Sequence, residues 1–366
     1  MTPLIPAALL AQSDKILFVA HLALGDYTYM QNGFRAFAAA YPHLKIHLWI
    51  DEVRRTDDAA QWESLRTYSL YDWVEQSGLF AKVYRKTYSP ALYEESVREA
   101  QAEHYPLVVS LAHIRPQRYA HLARAISPDG LVIGMRKRVT ILRPMHYFAY
   151  RKLDALLTPY AGQDAGAHHI SAVYADWFRQ LTGLEIPLAE RYPYVHLPED
   201  ALQQARQQLA AWGFDQRQGP LVLLNPFAKS HKRGWPLERI CELIERMRQQ
   251  PKWAGACFLI NAMPHDLAKV NAVVTTAGLA RTQAFSAVDH FFQLPAMLAQ
   301  CDLIISVETS IMHLANAVHV PVVALMRKKN PEWAPFDSAS STVLTVAKRN
   351  DWVDAITVEQ VLQAIE

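Results

Sequence analysis

Short, largely apolar runs recur along the first half of the chain, at residues 16–20, 45–50, 82–85, 107–112 and 131–135, with longer segments of mixed polarity between them. An apolar run without alternation reads as a strand covered on both faces, and strands alternating with helical segments imply parallel βαβ units. After residue 135 the rhythm breaks. "RKRVTILRPMHYFAYRKLDALL" is basic and aromatic with no clean period, and a helix is expected at 169–181. "LAERYPYVHLPED", with two prolines in mixed polarity, reads as a linker, and 200–212 as a polar helix. The same grammar then restarts, with compact strands at 221–225, 256–261, 302–307 and 321–326. The clearest helix is "WPLERICELIERMRQQ", where Pro236 suits a first turn and Ile240, Leu243, Ile244 and Met247 fall at helical spacing. In the closing segment "VDAITVEQVLQAIE", Thr357 is a candidate N-cap and Val358, Val361, Leu362 and Ile365 form one stripe.

The pattern therefore predicts an α/β protein of two Rossmann-like halves with parallel sheets facing across a cleft. A length of 366 residues suits two domains, and 51% hydrophobic with 20% charged residues is the composition of a packed globular enzyme. A formal net charge of +2 gives no global drive toward nucleic acid. Cys241, Cys257 and Cys301 form no CxxC or CxxH pair, which argues against a disulfide framework or a zinc site and reads as three core residues in a reducing compartment. The opening "MTPLIPAALLAQSDK" has no basic residue ahead of its apolar stretch and carries two prolines, so it fails as a signal peptide. No apolar run approaches the ~18–20 residues that span a bilayer. A soluble, cytoplasmic protein is expected.

Several common chemistries lack their motifs. The first loop offers Gly25, with Gly33 two turns on, instead of the G-x-G-x-x-G that lets a backbone approach a dinucleotide pyrophosphate. There is no G-x-x-x-x-G-K-[ST], HExxH or G-x-S-x-G. D-x-D, the carboxylate pair by which many sugar transferases hold a metal on the donor diphosphate, is also missing. Phosphate charge would then be met by protein groups.

Three loops at strand ends carry unusual residues instead. In "NPFAKSHKRGWPLERI", Lys229, His231, Lys232 and Arg233 crowd the turn ahead of a helix. Cations at a helix N-terminus oppose its dipole unless an anion is bound, so the loop reads as a phosphate cradle against the alternative of a solvated basic loop. In "IISVETSIMHLANA", Thr309 is a natural N-cap, its neighbours' amides suit a diphosphate or ribose, and His313 one turn in is either a phosphate donor or a structural histidine. In "ILFVAHLALGDYTYMQNGFRAF", Asp26 follows a strand and enters a helix, where it is either a general base for an acceptor hydroxyl or a helix cap.

Together these loops resemble glycosyltransferase family 9, the ADP-heptose:lipopolysaccharide heptosyltransferases. "LALGDYTY" is similar to the family's S-x-G-D turn at Gly25 and Asp26, "HKRGWPLERI" to its K-x-W-P segment, and "ETSIMHLANA" to its D-T-G-x-x-H-L-A-A-A. "NPEWAPF" and the closing helix resemble the family's proline-rich loop and tail. The resemblance implies a GT-B fold and metal-independent, inverting transfer of a sugar, heptose from ADP-heptose in the family, to a lipopolysaccharide-core hydroxyl, with no cofactor beyond the nucleotide-sugar co-substrate. It implies an acceptor-binding domain at 1–195, a donor-binding domain at 196–350 and a helix at 351–366 that crosses back onto the first domain. Carried over by position, Asp26 is the catalytic base, Thr309, Ser310 and His313 bind the donor diphosphate, and Lys232 and Arg233 stand near the same phosphates, with Lys229 and Glu308 in the same loops. Asp266 in "NAMPHDLAK" is a candidate for ribose or heptose hydroxyls.

This chain departs from the pattern in places. Arg233 stands where the family lysine normally does, two residues before the tryptophan, with Lys232 one further away; Glu308 replaces the usual aspartate and Ser310 the usual glycine. On the acceptor side, Arg115, Arg118, Arg136, Lys137, Arg138 and Arg143 concentrate near first-half loops, where guanidinium forks suit the phosphates and carboxylates of an inner-core glycolipid. Such a basic surface, with Arg327, Lys328 and Lys329, also suits peripheral contact with the anionic face of an inner membrane. Competing readings are a nucleotide-sugar 2-epimerase of the same architecture, a heptosyltransferase with a protein acceptor, and a two-lobe solute-binding protein.

Overall fold

In the computed structural model, which describes residues 2–136, 145–161 and 168–366, each expected strand forms. The first unit, Met1–Arg191, holds β1 (Lys15–Ala20), β2 (Lys45–Ile50), β3 (Lys82–Tyr84), β4 (Leu107–Ser110), β5 (Leu131–Met135) and β6 (Ala155–Leu157). They pair in parallel in the order β3-β2-β1-β4-β5-β6. The second unit, Tyr192–Glu366, holds β7 (Leu221–Asn225), β8 (Cys257–Asn261), β9 (Thr282–Phe285), β10 (Leu303–Val307), β11 (Val322–Met326) and β12 (Ser341–Thr345). Its order, β9-β8-β7-β10-β11-β12, repeats the first when each sheet is numbered from its own start. In both sheets the order reverses beside the first strand of the unit, between β1 and β4 and between β7 and β10. In an open α/β sheet, ligands gather outside the carboxyl ends of the strands at such a switch point.

Three strands, β6, β9 and β12, were not expected from the sequence. All lie at sheet edges, and β6 and β12 are largely half-exposed or exposed. An edge strand lacks the uninterrupted apolar run by which a doubly covered strand is recognised.

The closing helix, Val358–Ala364, forms where its stripe predicts. It belongs to the second unit, where Val358, Val361, Leu362 and Ile365 join the core built on Ile240, Leu243 and Ile244 of the Leu237–Arg248 helix. The sequence shows that the stripe must be buried but not against what. Cys257 and Cys301 are buried as expected, whereas Cys241 is only half-buried at the edge of this core, and all three are free thiols.

In the first unit, Gly33 decides how closely two helices meet. A Cβ on Gly33, within the Leu24–Ala40 helix, would lie 2.0 Å from Phe178 Cε2 in the Ile170–Thr182 helix. The Phe178 ring is fully buried, edge-on to Phe34 at 5.5 Å and tilted against Phe18 at 6.0 Å, so it has no room to retreat. Gly33→Ala is therefore expected to lower stability by about 1–3 kcal/mol through overpacking, read as a fall in the urea midpoint at constant slope. An unchanged midpoint would show that the helices separate freely.

Candidate active site

Past β1 the backbone leaves the sheet at His21 and enters the Leu24–Ala40 helix, whose N-cap position is Ala23. Alanine has no side-chain acceptor, and the end of the helix is completed from inside: Asp26 in the first turn accepts the Ala23 backbone N–H at Oδ2, 3.0 Å. An acid there also meets the positive end of the helix dipole. The other carboxylate oxygen, Oδ1, accepts the Tyr174 hydroxyl at 2.7 Å, from a residue 148 positions away. Tyr174 is buried, and burial first, then the negative charge of Asp26, pushes its hydroxyl well above the usual tyrosine range. The phenol stays protonated and remains a donor. Asp26, half-buried, is thus both a helix-end acceptor and a carboxylate held at each oxygen.

Beside it, His21 stacks on Tyr119 at 5.7 Å and stands 5.5 Å from the His113 ring. Burial and then His113 hold its imidazole below the ordinary histidine range, against the opposing pull of Asp26 and Asp51, so it is neutral at pH 7. Its Nδ1 is buried without a hydrogen-bond partner among the described residues. Just past β2, Asp51 is buried, paired with Arg55 and hydrogen-bonded by the Tyr119 hydroxyl at 2.9 Å. Arg118 reaches toward the same cluster, 3.9 Å from Asp51 Oδ2. Arg115 and Arg136 are exposed, Arg115 in a left-handed conformation (φ 54°) ahead of the Pro116–Ile126 helix. Arg138, with Lys137 and Arg143, lies outside the described residues.

In the second unit the chemistry-bearing loops follow β8, β7 and β10, neighbouring strands of one sheet. A buried polar chain ties their ends together. Asn261 Nδ2 donates to Asn225 Oδ1 at 3.0 Å, and Asn225 Nδ2 donates to Ser306 Oγ and Thr309 Oγ1, each at 3.0 Å. Thr309 caps the Ser310–Ala317 helix as expected, accepting the Ile311 N–H at 3.4 Å. Ser310 opens that helix half-exposed, and His313 is buried with its ring 5.9 Å from Trp333.

The basic loop lies differently from its sequence reading. His231–Arg233 forms a 3-10 turn of its own, Gly234 and Pro236 are extended, and the helix begins only at Leu237. The cations therefore precede the first helical turn, which carries Glu238 instead, and the dipole penalty invoked for them does not arise. Trp235 anchors the loop: its backbone N–H donates to Pro226 O and its indole Nε1 to Ile356 O, both at 2.9 Å. Lys229 and Lys232 are exposed and Arg233 half-buried; Lys232 Nζ stands 5.9 Å from the centre of the Trp352 ring.

Glu308 is buried, and its carboxylate accepts the Arg327 backbone N–H, Nε and Nη2 at 3.1–3.2 Å, with Asn330 at 3.4 Å. Its oxygens hold the loop after β11. Asp266, after β8, ends a short 3-10 turn and lies 3.3 Å from His265 Nε2.

Sequence reading missed Tyr174, His21, Asn225 and Asn261. The asparagines left a signal: each is a polar residue closing an apolar strand, in "LVLLN" and "CFLIN". Tyr174 left none, since only packing brings it to Asp26.

Two parallel α/β units of Rossmann order, with polar loops at their switch points, define a fold of the GT-B class. The fold is similar to the glycosyl transferase family 9 structure from Veillonella parvula DSM 2008 (TM-score 0.71, 19% identity, covering 96% of this chain and 95% of that one). It is also similar to E. coli ADP-heptose lps heptosyltransferase II (0.65, 17%, 96% and 97%) and to E. coli heptosyltransferase WaaC with ADP (0.65, 16%, 96% and 98%). The sequence model of Glycosyltransferase family 9 (heptosyltransferase) matches residues 148–354, more than half of the chain, and the chain belongs to that family. No curated protein matches it in sequence.

Proposed function

We propose that this glycosyltransferase moves heptose from ADP-heptose to a hydroxyl of a lipopolysaccharide core or related surface glycan, with inversion, without a metal, and with Asp26 as general base. The acceptor oxygen attacks the anomeric carbon from the face opposite the leaving group, its proton passes to Asp26, and the bond to the β-phosphate oxygen breaks with its electron pair leaving on ADP. The observation that carries this reading is Asp26 itself: each oxygen accepts one hydrogen bond, so the carboxylate is oriented, yet an ionised oxygen retains further lone pairs for a proton. The leaving diphosphate gains charge, which the amides opening the Ser310–Ala317 helix, the Thr309 and Ser310 hydroxyls, His313, Lys229, Lys232 and Arg233 would meet. Asp266 would take ribose or heptose hydroxyls.

Arg115, Arg136 and Arg138 remain the acceptor-side candidates, for an acceptor carrying phosphate or carboxylate groups. No described helix is long and apolar enough to cross a membrane; a glycolipid acceptor would be met by peripheral contact at the cytoplasmic face. The family match favours transfer over 2-epimerisation.

A thermal-shift screen of nucleotide sugars tests the donor. ADP-heptose is expected to raise the unfolding temperature progressively with concentration, because a ligand bound only by the native state stabilises it by mass action. A shift with UDP-sugars and none with ADP-heptose or ADP would refute the assignment.

A further inference from the structure

The hydroxyl of Tyr174 reaches the Asp26 carboxylate from a helix far along the chain. Tyr174 comes from the Ile170–Thr182 helix, is 1% exposed, and places its Oη 2.7 Å from Asp26 Oδ1. Its ring is fixed against Trp177, with centroids 4.8 Å apart. One helical turn on, Phe178 fills the hollow left by Gly33, and that close approach brings this helix within reach of the turn carrying Asp26. The contact is more than helix-end satisfaction, because the helix-end N–H is already served by the other oxygen, Oδ2.

We propose that Tyr174 is a positioning residue for transfer: its hydroxyl, donated to Oδ1, fixes the angle at which Asp26 meets the acceptor's proton. The proposal rests on the reading of Asp26 as the base. A hydrogen bond to a charged group is among the stronger kinds, so its loss frees the carboxylate to turn. Tyr174 itself exchanges no proton.

Tyr174→Phe removes one oxygen and keeps the ring. With ADP-heptose as donor and a heptose-deficient lipopolysaccharide as acceptor, kcat is expected to fall about tenfold or more while KM for the donor stays within about twofold. A merely structural tyrosine would change the unfolding midpoint and leave kcat as in the wild type, and that result overturns the proposal. Asp26→Asn, run alongside, separates the two readings. If it transfers normally, Asp26 is no base and the positioning role falls with it; if it is inactive while Tyr174→Phe behaves as wild type, only the positioning role falls. A wild-type chain that transfers from no nucleotide sugar refutes both.

Discussion

Asp26→Asn is expected to lower sugar transfer by ~100-fold or more, the scale of a lost general base, with donor affinity and fold near wild type. The amide is isosteric, its oxygen can still accept one of the two hydrogen bonds now made by the carboxylate, and the helix retains its packing. What disappears is the ability to take up a proton. The measurement is single-turnover transfer with saturating donor, alongside calorimetric titration with ADP. Transfer at the wild-type rate would reduce Asp26 to the capping role that the Ala23 contact alone provides, and a large loss of stability would mean that the variant reports folding rather than chemistry.

Replacing Lys232 and Arg233 together by alanine is expected to weaken ADP binding by about 100-fold, since hydrogen bonds to charged groups contribute about 1.5–3 kcal/mol each. Stability should move little, within about 0.5 kcal/mol, because the loop is held by Trp235 and backbone contacts rather than by these side chains. The single variants then decide which cation fills the place of the family lysine. Arg233 has the family spacing to the tryptophan, whereas Lys232 lies over the exposed Trp352 ring. Unchanged affinity in the double variant would leave the loop a solvated basic turn.

Glu308 has partners that its place in the sequence does not announce. Its place after a buried strand marks it as belonging to the donor loop, yet its oxygens are filled by Arg327 and Asn330. The longer side chain, where the family usually has aspartate, reaches across to the loop after β11 and holds it. Arg118 is similar: an arginine in an acceptor-side loop, but one already drawn to the buried Asp51.

The strands β1, β2, β4, β5, β7, β8, β10 and β11 were legible because burial on both faces of a parallel sheet leaves an unbroken apolar run in the chain itself. The turns after β1, β7 and β10 were legible for a related reason, since a carboxylate, a cationic cluster and an N-cap threonine each stand out where such a run ends. Those features are local, and local sequence determined them. The edge strands, the seat of the closing helix, the polar chain from Asn261 to Thr309 and the Tyr174 hydroxyl on Asp26 were decided by tertiary structure. Each depends on which surfaces meet, and a contact between residues far apart in the chain, such as the one Gly33 permits by lacking a Cβ, leaves no period or motif at either end.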